Sequence, residues 1–502
     1  MPEKVRSATT RIGKMKGTIH VVGRYHRLPV RIHDDYNITT ELLGNGLNGS
    51  VFVANSKLND CRYAVKRLKM RNISSQAKKE LVNELELLLT TDHPNIATLT
   101  DAYESEEHID LVLECMDGGN LCELVQAKKR FTEEKACELV KQMFMAVNYL
   151  HTRNIVHRDI KLDNFLLVKP DVGPVKLIDF GVSRYISPNQ TLNTINATGT
   201  LAYTAPEVLD GSYNNKCDVW SLGVIVFILL VGYMPFWGNK EEMRKMIRNT
   251  NPMENGPKQR WNDVSHEAKD FVRRLLAKKP SERISTSEAL NHAWITMTSK
   301  QVHVDIKVLD YASSAFELFT QTSRFWRACV LMMAWSVPCT DQDEICKTFL
   351  DLDTEKTGTI KIQELVSRLS VSDKQAQQIL QVLGESYGKE LCYTDFLAAM
   401  LCPRILQNKD LVQKAFRRFD ISNSGLVKEK ELEKVLGKDF DCASVIARFP
   451  DSQISAATFM EYLDFESSHG GELDAGGDFY GRKCRQEDAC LSKNESLLKQ
   501  AI

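Results

Sequence analysis

The sequence predicts a multidomain chain, with a two-lobed α+β part followed by an all-α domain of four helix–loop–helix repeats. Three observations carry this reading. From Tyr36 to about Leu68, β-favouring runs such as "SVFVA" and "CRYAVKRL" alternate with glycine and asparagine turns, the pattern of a small antiparallel sheet. From Ala77 onward, "KKELVNELELLL" and "EEKACELVKQMFMAVNYLHTR" place apolar residues at three- and four-residue intervals, the period of amphipathic helices. Beyond Asp341, oxygen-rich loops recur between helical stretches. Aligning their ends puts loop starts at Asp353, Gly384, Asp420 and Ala447, a repeat of about thirty-odd residues.

The expected boundaries follow from these changes of pattern. A basic arm without sustained periodicity covers 1–35, the two-lobed domain 36–295, a junction 296–340, the repeats 341–464 and a glycine-rich, charged tail 465–502. A chain of 502 residues exceeds what one core usually serves. With 65 Lys+Arg against 66 Asp+Glu, no global field selects nucleic acid or an anionic membrane. The 13 cysteines form no CxxC pair, as expected of a reduced cytoplasmic protein. The start Met-Pro-Glu-Lys has neither an apolar signal region nor the second-place glycine of myristoylation, which leaves only transient membrane association open. "VWSLGVIVFILLVGYMPFW" is interrupted by Ser221, Gly223 and Gly232 and reads as a buried core helix.

Two clusters of residues carry chemistry. In "LGNGLNGSV", Leu43, Gly44, Gly46, Gly49 and Val51 suit a hairpin whose backbone folds over phosphates, and "YAVK" ends in Lys66 on what should be the third strand, within reach of the α and β phosphoryl oxygens. "HRDIKLDN" offers Asp159, Lys161 and Asn164, and "DFG" adds Asp179. Phosphoryl transfer needs a carboxylate to accept a hydroxyl proton, which Asp159 supplies. It also needs oxygen ligands for magnesium on ATP, which Asn164 and Asp179 supply, and a cation beside the moving phosphoryl, which Lys161 supplies. Singly, each is as well explained as a hairpin glycine or a loop cap; in this order and spacing together they are not.

The second cluster lies in the repeats. A calcium loop wants oxygens at places one, three, five and twelve, a carbonyl at seven and glycine at six. "DTEKTGTIKIQE" provides Asp353, Glu355, Thr357, the Thr359 carbonyl and Glu364, and "DISNSGLVKEKE" provides Asp420, Ser422, Ser424, the Leu426 carbonyl and Glu431. "GESYGKELCYTD" and "ARFPDSQISAAT" lack the oxygens and are expected to persist as pairing partners through Leu391 and Ile454. Two calcium ions are therefore expected, the third loop being the weaker because hydroxyls replace carboxylates.

Over 36–295 the chain resembles the eukaryotic protein kinases, with glycine loop, "YAVK", "HRD", "DFG" and "APE" in order. That resemblance implies that Glu84 pairs with Lys66, that Leu113 is the gatekeeper with Glu114 to Met116 offering backbone contacts to adenine, and that Glu207 pairs with Arg283. It also implies protein serine or threonine substrates. Asn120 stands where kinases preferring basic substrates carry an acid, leaving Asp163 to attract one. Asn196 stands where an anion would meet Arg158, unless phosphate on Thr194 or Thr198 supplies it. The layout of kinase, junction and four EF-hands resembles the calcium-dependent protein kinases of plants and protists over 36–463. It implies an autoinhibitory junction helix that calcium-loaded EF-hands grasp. Phe319, Phe325, Trp326, Leu331 and Trp335 suit an EF-hand groove; the alternative is a stripe packed on the kinase lobe, and the two are compatible in different states. With Arg324 and Arg327 nearly its only cations, the junction is not expected to imitate a substrate. A kinase governed by separate calmodulin and a calcium-binding scaffold with an inert kinase fold are the alternatives.

Overall fold

The computed structural model describes residues 2–16, 18–46, 49–170, 172–187, 190–193, 200–298, 306–387, 389–405 and 408–469. The expectations for Asn196, Thr194 and Thr198, and for the tail beyond 469, lie outside them.

Within 1–35, expected as a basic arm of uncertain order, the described residues carry regular structure. Helix α1 (Pro2–Lys16) buries Val5, Ala8 and Ile12, and α2 (Thr18–Val22) leads into β1 (Tyr25–His26). The physical reason is a narrow apolar stripe at i, i+3 and i+7, enough to fold only because a partner surface covers it.

Strands β2 (Tyr36–Gly46), β3 (Gly49–Ser56), β4 (Arg62–Lys69), β5 (Leu99–Glu104) and β6 (His108–Glu114) join β1 in one sheet of order β1-β5-β6-β4-β3-β2. Helix α3 (Ser75–Thr90) crosses between β4 and β5, and the Ser74 hydroxyl caps it by accepting from the Ala77 N–H. The helical lobe is built on α4 (Glu133–Thr152) and α5 (Lys216–Val231). Buried on nearly all sides, α5 is the core helix expected from its apolar run, and Gly232 ends it at φ 78°. No helix among the described residues is long and apolar enough to cross a membrane.

The junction holds two helices rather than one. Helix α6 (Ile306–Gln321) stops before α7 (Arg324–Ala334), because the Ser323 hydroxyl caps the second helix at the Trp326 N–H. Both pack into the repeat domain: Phe319, Phe325, Trp326, Leu331 and Trp335 are buried in one cluster with Phe349, Phe396, Phe419 and Phe459.

That domain runs through α8 (Asp343–Leu352), β7 (Ile360–Lys361), α9 (Ile362–Arg368), α10 (Asp373–Tyr387), β8 (Glu390–Leu391), α11 (Tyr393–Ile405) and α12 (Lys409–Phe419). It continues through β9 (Leu426–Val427), α13 (Glu429–Leu436), α14 (Cys442–Ile446), β10 (Ile454–Ser455) and α15 (Ala456–His469). Strands β7 and β8 pair with Ile360 opposite Leu391, and β9 and β10 with Val427 opposite Ile454. The repeats therefore couple as first with second and third with fourth.

The junction and repeat domain dock along both lobes of the kinase, from Tyr63 of β4 and Asp101 of β5 to Asn148 of α4 and the Leu290 carbonyl. Arg418 and Lys414 of α12 reach Asp101 of β5, at 3.1 and 3.9 Å, where the Tyr36 hydroxyl at 2.7 Å and His26 at 3.0 Å also converge. Burial would raise the Asp101 pKa, but the Arg418 charge and these partners outweigh it and hold the carboxyl well below its usual range.

Candidate functional site

Lys66 on β4 is buried between two lobes' worth of carboxylate. Its ammonium donates to Glu84 Oε1 of α3 at 2.5 Å and to Asp179 Oδ1 at 2.8 Å. Burial alone would lower the lysine pKa; the two acids outweigh it and raise it, while Lys66 in turn holds Asp179 low against its own burial. Helix α3 is fixed from outside this pair as well. Asn83 donates to the Ser183 carbonyl at 2.7 Å, and Arg184 reaches Glu80 at 3.3 Å.

The catalytic loop presents its groups through strained backbone. Arg158 and Asp179 have φ of 71° and 63°, conformations that cost non-glycine residues roughly 1–3 kcal/mol each and survive only where neighbours enforce them. Asp218 of α5 is the enforcer for the first, accepting the backbone N–H of His157 and of Arg158, both at 2.9 Å, and pairing with His151 at 3.0 Å. Asp159 then lies within 2.7 Å of Lys161 Nζ and 3.1 Å of Asn164 Nδ2. With its amide nitrogen so engaged, Asn164 keeps Oδ1 as an acceptor, and with Asp179 makes a hard-oxygen pair of the kind magnesium takes. Glu207 and Arg283 form a buried two-pronged pair at 2.6 and 3.0 Å.

Around the nucleotide side, β2 and β3 make the glycine hairpin with Gly44 opposite Val51 and Gly46 opposite Gly49. A Cβ on Gly49 would lie 2.0 Å from the Arg67 carbonyl oxygen, so only glycine fits there. Leu43 stays half exposed. At the hinge, the Glu114 side chain turns back to Lys176 at 2.8 and 3.0 Å and accepts the Thr98 N–H at 2.7 Å, which anchors the chain whose backbone continues to Met116.

The two complete loops differ. In the third, Asp420 accepts from the backbone of Ser424 at 2.8 Å and Gly425 at 2.7 Å. Ser422 and Ser424 hydroxyls lie 3.1 Å apart, Ser424 donates to the Leu426 carbonyl at 2.9 Å, and Glu431 returns to the Ser422 N–H at 2.9 Å. All five expected groups thus converge. In the first, Asp353, Thr357 and Thr359 converge, but Glu355 pairs with Lys361 and Glu364 with the Thr354 hydroxyl. Burial pushes the Asp353 carboxyl up to about 6. Among the described residues no three His, Cys, Asp or Glu side chains cluster as a metal centre. In the second repeat, Gly384 falls inside α10, and in the fourth Ala447 caps α14, so neither starts a ligand loop.

Several residues with structural work at the site were missed by sequence reasoning. Asp218 had a signal, since a carboxylate inside the apolar run "KCDVWSLGVIVFILLV" must find partners if buried. Arg153 and Asp92 had none. Arg153 donates to the Thr357 carbonyl of the first calcium loop at 3.0 Å, and Asp92 accepts the Thr394 hydroxyl at 2.7 Å, contacts between residues two hundred and three hundred positions apart.

Residues 37–295 match the protein kinase domain family. Calcium-dependent protein kinase 3 of Plasmodium berghei (strain Anka) is 34% identical over 414 residues, 81% of this chain and 73% of the relative. Calcium-dependent protein kinase 5 of Plasmodium falciparum (isolate 3D7) is 32% identical over 413 residues, covering 81% and 72%. Calcium-dependent protein kinase 4 of P. berghei is 31% identical over 452 residues, covering 84% and 85%. With the kinase cleft, the repeats behind it and likeness along most of both lengths, the chain belongs to the calcium-dependent protein kinase family.

Proposed function

We propose that this calcium-activated serine/threonine kinase transfers the ATP γ-phosphoryl through Asp159, Lys161, Lys66 and Glu84, with the Leu43–Val51 hairpin and the Glu114–Met116 backbone holding the nucleotide. Asp159 orients the substrate hydroxyl and accepts its proton, and Lys161 balances charge on the group in transit. Asn164 and Asp179 would hold magnesium, which supplies charge neutralisation between the phosphates. Asp353, Glu355, Thr357, Thr359 and Glu364 would hold one calcium ion, and Asp420, Ser422, Ser424, Leu426 and Glu431 a second.

The observation that supports this most is Lys66 bonded at once to Glu84 and Asp179, the arrangement in which a lysine can meet nucleotide phosphates. Burial of Phe325, Trp326 and Trp335 within the repeat domain supports reading this as the released state. The inhibited state is then the one in which the junction leaves that core and covers the cleft. Asn120 caps the helix Leu121–Lys128 and donates to Glu123 at 2.8 Å, so the exposed Glu123 and Asp163 supply the negative charge that favours substrates of basic context. The eleven described cysteines lie outside disulfides, which supports a cytoplasmic location.

The test is transfer of labelled γ-phosphate to a serine/threonine peptide by the purified chain, without calmodulin, in calcium and in EGTA. Asp179→Ala should abolish labelling and EGTA should suppress it; equal rates in both conditions would sink the proposal.

A further inference from the structure

The described residues between 2 and 26 touch both the kinase and the repeat domain. Helix α1 packs along α3, where Val5 and Ile12 share a buried cluster with Leu81, Leu85 and Leu89, and Arg11 pairs with Glu86. Helix α3 is the one that carries Glu84. Immediately afterwards α2 packs on α13, the helix that carries Glu431 at the twelfth place of the third calcium loop. Its two faces are shared out: Val21 enters the kinase core, while Ile19 and Val22 pack on the core of the repeat domain. Gly437, at the end of α13, has the Thr18 hydroxyl 3.2 Å from where a Cβ would stand.

A second contact reinforces the bridge. Buried Arg24 donates to the Leu89 carbonyl in the last turn of α3 at 2.8 Å and to the Leu99 carbonyl at 3.2 Å, and its guanidinium lies 4.9 Å from the ring centre of Trp335 in the junction. Gly23 permits that approach, since a Cβ there would come within 3.1 Å of the Trp335 ring and 2.8 Å of the Ile19 carbonyl oxygen.

We infer that residues 2–26 are the coupling element between the third calcium loop and helix α3, with Val5 and Ile12 as positioning residues for Glu84. Calcium drawn to Glu431 reorients α13 against α12, as in sensor EF-hands. Because α2 rides on α13 and α1 on α3, the reoriented α13 sets the seat of α3 and with it the Lys66–Glu84 pair. Linkage makes the coupling reciprocal, so nucleotide binding must tighten the third calcium loop through the same segment. This rests on the calcium-activated kinase reading above and names the route within it.

The experiment uses the full chain. Val5→Asp/Ile12→Asp is compared with wild type for peptide phosphorylation at saturating calcium. Calcium affinity of the third site is measured by calorimetry in an Asp353→Ala background, which removes the carboxylate that organises the first loop, with and without magnesium and a non-hydrolysable ATP analogue. The variant should lose activity by about thirtyfold, the middle of the usual coupling range, and should lose the nucleotide-dependent tightening of calcium that the parent shows. Should the double variant fail to melt cooperatively, a chain lacking residues 1–16 takes its place with the same expected losses. Wild-type activity together with undiminished tightening, in whichever of the two folds, overturns the inference. A parent whose activity ignores calcium overturns the functional reading instead, so the two failures are told apart.

Discussion

The first and third calcium loops share their spacing and differ in what holds them. The third converges on its own ligands, and its glycine, Gly425 at φ 80°, has open space around the place of a Cβ. The first is held from outside. Asn148 of α4 donates to the Lys356 carbonyl at 2.6 Å, Arg153 to the Thr357 carbonyl at 3.0 Å, and Lys356 Nζ reaches the Leu290 carbonyl at 2.9 Å. Gly358 sits so close that a Cβ would lie 2.4 Å from Tyr149 and 2.7 Å from His93. One loop is organised by its own ligands and the other by the kinase against which it is pressed. A calcium site docked on its target reports docking as well as calcium, because whatever changes one equilibrium changes the other.

The strongest way to break this comparison is to remove the twelfth-place carboxylates separately. Glu431→Gln should weaken the third site by about a hundredfold, the upper end of what even outer-shell changes cost a metal site, and shift calcium activation of the kinase accordingly. Glu364→Gln should cost the first site less, because the Glu364 carboxylate is turned toward Thr354 in this arrangement. Calorimetric titration of both variants ranks them; equal losses would remove the distinction.

Counting carboxylates ranks the third loop as the weaker, whereas its geometry favours it, and the reason is general. Oxygen number is written in the sequence, while preorganisation depends on which neighbours those oxygens already serve. That Lys66 meets Asp179 and Asp159 meets Asn164 was legible because these residues fall in short strings whose order places them together. Glu84 and Arg283 were legible only through family resemblance, and the helix Pro2–Lys16 not at all. Its apolar stripe of three residues folds on Leu85 and Leu89, some seventy positions on, and no local pattern announces a partner at that distance. The Asp101 hub was hidden for the same reason: His26, Tyr36, Lys414 and Arg418 arrive from three remote segments.

The sixth-place glycines give a sharper test with a smaller effect. Alanine at either position pays roughly 1 kcal/mol for a left-handed backbone. At Gly425 nothing else is disturbed, so Gly425→Ala should cost about that much in thermal stability. Gly358→Ala must in addition drive Tyr149 and His93 apart, and overpacking of that kind costs a further 1–3 kcal/mol. The excess should shrink in Gly358→Ala/Tyr149→Ala relative to Tyr149→Ala, where only the His93 contact is left, if docking is its cause. Smaller again is Arg153→Ala, which removes a charged hydrogen bond to the Thr357 carbonyl and a guanidinium 3.8 Å from the Tyr149 ring centre. About 1 kcal/mol, roughly fivefold in calcium affinity, should be lost at the first site and none at the third.

The smallest expected effect lies beside the third repeat, at Lys414. Buried against Tyr36 and Tyr63, with ring centres 4.9 and 4.5 Å away, its ammonium has a pKa lowered to about 8, chiefly by burial and against the pull of Asp101. A lysine that binds its proton less tightly when docked than when released makes docking stronger as pH rises from about 8 toward the ordinary lysine value of about 10.5. Lys414→Met removes the charge while Arg418, His26 and Tyr36 still satisfy Asp101. Since replacing a buried ion by an apolar group of like size is often neutral or stabilising, the variant should melt at the same temperature or higher at pH 7, by up to about 1 kcal/mol. It should also lose the rise in stability between pH 8 and 10 that the native chain shows. A variant that melts lower at pH 7 and keeps that rise would mean that the Asp101 attraction, and not burial, governs this lysine.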